Sequence, residues 1–139
     1  MLRPKHHPEG LEAAIMRGDI GWNAKALNLM PELADRELYA YSLQVSKKLN
    51  ARFNTSWGSS LGKSADVAGV SRAVVPIMAD AGLKALHIGF NAACVTPDVP
   101  SVLRWQDRHS NTEILLMIAD SYGEEVAFPG TDGITVRAR

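Results

Sequence analysis

Cysteine is almost missing from this chain: Cys94 is the only one among 139 residues. No intramolecular disulfide can form and no cysteine cluster can hold a metal, a usage that suits a reducing compartment. Beside Ala92 and Ala93, Cys94 itself reads as a small buried hydrophobe rather than a nucleophile. An excess of either charge is also lacking. Lys plus Arg and Asp plus Glu number 15 each, so there is no basic field of the kind that attracts nucleic acid or an anionic membrane. No window is long and apolar enough to span a bilayer, and the opening Met1-Leu2-Arg3-Pro4-Lys5-His6-His7-Pro8 has no apolar signal core. The expected location is cytoplasmic, with no nucleic-acid partner and no membrane partner.

What is present is the balance of an ordinary globular domain, 46% hydrophobic and 22% charged, at a length that can bury one core. Residues 1–8 read as a flexible lead-in and 9–139 as the domain. His6-His7 point in different directions on any regular element, which makes them poor joint metal ligands. Pro8, Glu9, the apolar Leu11, Ala14 and Ile15, and the stop at Gly18 predict a helix over 9–17. Residues 19–22 read as a short strand or its approach, and 23–31 as loop.

Asp35 is placed to cap a second helix, whose apolar stripe is read at Leu38, Tyr41, Val45, Leu49 and Phe53. A strand is predicted over 59–64, and a third helix, capped by Ser71, over 72–81 with Gly82 as its stop. Lys84-Ala85-Leu86-His87-Ile88-Gly89-Phe90 has the near-continuous apolar character of a buried parallel strand. Residues 102–105 and 113–118 read as a hairpin, and 134–137 as a last short strand. Strand, helix, strand, helix, strand argues an α/β unit with parallel pairing.

The chain is organised around Asp66, a carboxylate in the loop between the 59–64 strand and the helix start at Ser71. In parallel α/β folds that edge is where ligands and catalytic groups gather. A loop aspartate is also an ordinary turn residue that bonds its own backbone.

The run Lys63-Ser64-Ala65-Asp66-Val67-Ala68-Gly69-Val70-Ser71-Arg72, followed by Val75-Pro76-Ile77-Met78-Ala79-Asp80-Ala81-Gly82, resembles the N-terminal catalytic domain of glycoside hydrolase family 38, the α-mannosidases, and looks closest to an uncharacterised branch of that superfamily. Leu86-His87-Ile88-Gly89-Phe90-Asn91, Pro97-Asp98-Val99-Pro100, Leu103-Arg104-Trp105 and Ser121-Tyr122-Gly123 are similar to the same branch and occur in the same order. The resemblance spans roughly residues 9–130.

It implies a fold that is α/β, a partial parallel β/α barrel of the glycoside hydrolase and deacetylase type with an appended β-hairpin. It places Asp66 at the position of the catalytic nucleophile, which in that family also ligates zinc. The implied reaction is metal-assisted, retaining hydrolysis of a glycosidic bond. One carboxylate attacks the anomeric carbon while a second carboxyl group protonates the leaving oxygen. The motif's proline and histidine are Ala68 and Val70 here, and the family's early His and Asp pair has no counterpart. The zinc ligand set is therefore incomplete, and the chain resembles an internal piece of a larger catalytic domain.

Such a piece exposes strand edges and apolar helix faces, which predicts a homo-oligomer. Trp22 can stack on a sugar, while Asn23 and Asn91 can hydrogen-bond its hydroxyls, Asn91 from the end of a buried strand. The alternative expectation is a non-catalytic carbohydrate-binding or interaction protein of the same descent. A metal-dependent deacetylase on the related barrel is a third, and it needs a ligand triad that the sequence does not supply. His87, between apolar neighbours, reads as a core histidine, and Asp98, between prolines, as a turn residue.

Overall fold

The structure is a computed structural model, and it describes residues 8–56, 60–67, 69–91 and 93–119. The expectations for 1–7, for Ser121-Tyr122-Gly123 and for a strand over 134–137 lie outside the described residues.

Helix α1 runs Pro8–Arg17 and stops at Gly18, whose φ of 84° is open to a residue without Cβ. No strand forms over 19–22. A 3-10 turn at Pro31–Leu33 leads into helix α2, Arg36–Phe53. The Asp35 side chain caps α2 by accepting from the Leu38 amide at 2.7 Å, which satisfies one of the unpaired donors of the first turn. Asn54, in the left-handed region at φ 49°, closes the other end.

Strand β1 is Leu61–Ala65 and β2 is Ala85–Gly89, joined through helix α3, Val74–Asp80. The predicted start of that helix at Arg72, with Ser71 as its cap, is two residues early. The Ser71 hydroxyl accepts from Ala73 in a local turn at 3.2 Å, and Val74 and Val75 first bond three residues back, to Ser71 and Arg72. Pro76, with no amide hydrogen, then sits in the helix's first turn, the place where a proline costs least.

Strands β3, Val102–Asp107, and β4, Thr112–Ala119, form the expected hairpin. The sheet order is β1-β2-β4-β3, with β1, β2 and β4 parallel and β3 antiparallel to β4. The hairpin is thus built into the sheet through β4 rather than appended to it. Among the described residues this is an open, mixed, four-stranded α/β sheet.

One face of the sheet carries the core. Leu86 and Ile88 of β2 and Ile114 and Leu116 of β4 meet Val74, Val75 and Met78 of α3, with Tyr39 and Leu43 of α2. Full burial of each large apolar side chain stabilises by about 1.5–3 kcal/mol. The register puts Leu61, Lys63, His87, Leu115, Met117 and Val102 on the other face, where Leu61, Leu115 and Val102 are exposed.

The outer edge of β1 is covered by residues 23–28 instead of a strand. The Ala24 amide donates to the Leu61 carbonyl at 2.8 Å, the Asn23 Oδ1 accepts from the Lys63 amide at 3.3 Å, and the Asn28 side chain bonds both main-chain groups of Ala65. An edge strand whose donors and acceptors are so occupied offers little to a further strand.

Candidate functional site

The C-terminal ends of β1 and β2 lie side by side, because Ala65 is in register with Gly89. Asp66 follows β1 directly, and its amide donates to the Gly89 carbonyl at 3.1 Å. Its backbone then turns into the left-handed region, φ 56°, which aspartate tolerates better than most side chains. Asn91 stands two residues beyond β2. Its Nδ2 donates to the Asp66 Oδ1 at 2.8 Å, while its Oδ1 accepts from the Ala93 amide at 2.9 Å. That second bond is an Asx turn, and it fixes which way the amide faces. The pair therefore presents a carboxylate and an oriented amide on the exposed rim of a parallel layer.

Asn23 and Trp22 take other positions. The Asn23 Oδ1 accepts from Lys25 and Lys63 amides along the β1 edge. The Trp22 indole donates to the Asn50 Oδ1 at 3.0 Å, and its ring centroid lies 6.1 Å from that of Phe53. Since Ala24 pairs with Leu61 at the start of β1, Trp22 is beside the end of that strand opposite to Asp66. The structure brings Asp66 and Asn91 together and leaves Trp22 apart from them.

Three polar side chains were not singled out by sequence. Lys25 is 3% exposed, and its Nζ bonds the Ser64 Oγ at 2.7 Å and the Leu29 carbonyl at 3.4 Å. Burial lowers its pKa to about 8, against a smaller upward pull from Glu32. The Tyr39 hydroxyl is buried without a hydrogen-bond partner among the described residues, and burial, then Glu32, raises its pKa to about 12. Asn28, on the β1 edge, is the third feature that a linear reading passes over.

Two surface hollows include neither Asp66 nor Asn91. One, of about 480 Å³, lies by Lys84, Arg104 and Glu113 at the opposite end of the sheet. The other, of about 380 Å³, lies between the starts of α2 and α3. Zinc needs three or four ligands, and among the described residues no three His, Cys, Asp or Glu side chains are grouped to hold a metal ion. Asp66 with the Asn91 amide does not make that donor set, so no catalytic step is assigned to zinc. Among the described residues no helix is long and apolar enough to cross a membrane.

In comparison with known proteins, no protein-family model matches this chain and no curated protein matches it significantly.

Proposed function

We propose that the chain is a carbohydrate-active protein of the α-mannosidase-like type, in which a hexose meets the rim formed by Asp66 and Asn91. The observation that carries this reading is the 2.8 Å contact between those two side chains, at the ends of adjacent parallel strands. A carboxylate accepts from sugar hydroxyls, an amide both donates and accepts, and together they can hold neighbouring hydroxyls of one ring. In a retaining hydrolysis Asp66 is the nucleophile. It requires a second carboxyl group about 5–5.5 Å away to act as acid and then base. In this reading the β1-β2-β4 layer is part of a β/α barrel.

A second reading, binding without turnover, is favoured by the donor set around Asp66, which supplies no zinc ligand group among the described residues. Titration with methyl α-mannoside, run beside hydrolysis of nitrophenyl α-mannoside with and without added zinc, separates the two. Turnover that disappears in Asp66→Ala supports the hydrolase, whereas heat of binding without turnover supports the binding protein. Neither signal from the intact chain removes the carbohydrate reading. Self-association belongs to the same proposal and is supported by the exposed Leu61, Leu115 and Val102 on the outer sheet face; sedimentation of the protein at increasing concentration tests it.

A further inference from the structure

The two residues before Asp66 are held by one short segment, residues 25–28. From the edge, Asn28 donates through Nδ2 to the Ala65 carbonyl and accepts at Oδ1 from the Ala65 amide, at 3.2 Å in the latter case. From the core side, Lys25 reaches Ser64, one residue earlier, at 2.7 Å. Asp66 itself has a left-handed backbone, φ 56°, an uncommon conformation for an L-residue that neighbouring contacts help to hold. On its other flank the Gly89 carbonyl takes the Asp66 amide. Asn28 is the side chain that grips both main-chain groups immediately before the turn. A side-chain amide is suited to that task because it offers a donor and an acceptor in one plane, as a neighbouring strand would.

We infer that Asn28 is a positioning residue for Asp66: its two-point contact with Ala65 fixes the left-handed turn that sets the carboxylate against Asn91. The inference rests on the reading of Asp66 and Asn91 as the sugar-facing pair, yet the positioning itself is measurable without a sugar. Asn28 touches no reacting group and acts through the backbone of Ala65. An apolar residue at position 28 leaves both Ala65 groups to water, and the turn then samples other conformations.

Amide hydrogen exchange of the full chain tests this first. In Asn28→Ala, which removes both bonds to Ala65, the Asp66 amide exchanges at least about tenfold faster, while the Leu86 amide in the middle of β2 stays within about twofold. A general loss of stability moves both amides together, so parallel change, or no change at Asp66, overturns the inference. Asn28→Asp keeps an acceptor for the Ala65 amide but turns a carboxylate oxygen toward the Ala65 carbonyl, so it too speeds exchange at Asp66 and gives a second reading where the alanine variant folds poorly; a wild-type rate at Asp66 in this variant overturns the inference.

The second arm is titration with methyl α-mannoside. Asn28→Ala weakens binding about tenfold. Ser110→Ala, which removes a hydroxyl from the β3–β4 turn at the far end of the sheet, leaves binding within about twofold. Equal affinity of wild type and Asn28→Ala overturns the inference. Absence of binding by wild type sinks the carbohydrate reading instead, and the exchange measurement still decides the role of Asn28.

Discussion

Lys25 and Ser64 meet inside the protein, Nζ to Oγ at 2.7 Å, with the two residues 3% and 1% exposed. Burying the ammonium lowers its pKa from 10.5 to about 8, with Glu32 offsetting part of that fall. In the unfolded chain the lysine keeps its ordinary pKa, so between the two values the unfolded state binds more protons and stability rises with pH. Moving from about pH 7 to about pH 10 adds ~2 kcal/mol from this residue. Urea unfolding at both pH values, for wild type and Lys25→Met, checks it: the variant lacks the increment. The same pH dependence in both proteins excludes a buried charged lysine.

His87 occupies the middle of β2 at 8% exposure, and its Nε2 has no hydrogen-bond partner among the described residues. Burial, and then the Lys63 ammonium on the adjacent strand, holds its pKa below 6.5. Its contribution to stability is therefore fully present above about pH 6.5 and is lost as pH falls through the folded value, because the unfolded state takes up the proton first. His87→Leu flattens this acid limb. By removing an unpaired buried nitrogen it also raises stability near neutrality by about 1 kcal/mol. Thermal melts across the acid range read both effects, and a variant less stable than wild type at neutral pH contradicts them.

Helix α2 turns a different face to the core than its apolar spacing suggests. Tyr39, Ser42, Leu43 and Ser46 are buried, whereas Leu38 and Tyr41 are 51% and 59% exposed. Two serines occupy the buried face because their hydroxyls find backbone partners: Ser42 donates to the Tyr39 carbonyl at 2.7 Å, and Ser46 bonds the carbonyls of Asn23 and Ala24. A count of hydrophobic positions scores those serines as outward. Leu43→Ala is expected to cost about 2–5 kcal/mol, and Leu38→Lys less than about 0.5 kcal/mol. Denaturant midpoints of the two variants in the opposite order would restore the stripe through Leu38 and Tyr41 as the buried face.

The elements that sequence made legible are those whose signals are local. β2 shows as a near-continuous apolar run interrupted by His87, the hairpin as two runs around a polar turn, α2's start as Asp35, and the stop before β2 as Gly82, found at φ 85°. Asp66 and Asn91 could be placed at one edge for the same reason, since each follows a recognisable strand. Asn28, Lys25 and Asn23 could not, because their partners lie far along the chain, Ser64 being 39 residues from Lys25, Ala65 being 37 from Asn28 and Lys63 being 40 from Asn23. Nothing in the run 23–28 announces that it borders β1; only the folded sheet shows that it covers the edge. The integration of the hairpin was hidden likewise, since the parallel pairing of β4 with β2 is a relation between distant segments.

Replacing Asn91 by aspartate turns the Asp66 contact into a test of its geometry. The wild-type amide donates to the Asp66 carboxylate at 2.8 Å, whereas two carboxylates at that separation cannot both be ionised without strong repulsion. One proton is then shared by the pair, which titrates as a unit with its upper pKa raised. In Asn91→Asp the raised folded pKa contributes stability that is greatest at low pH and lost as pH rises through it, at about 1.4 kcal/mol for each tenfold gain in proton affinity. The variant should therefore gain melting temperature relative to wild type as pH falls from about 7 to about 5. Asn91→Ala, with no second carboxyl group, should lack that gain. If Asn91→Asp and Asn91→Ala track each other across this range, the side chains at 66 and 91 are not in contact in solution, and the rim they are proposed to form is not assembled.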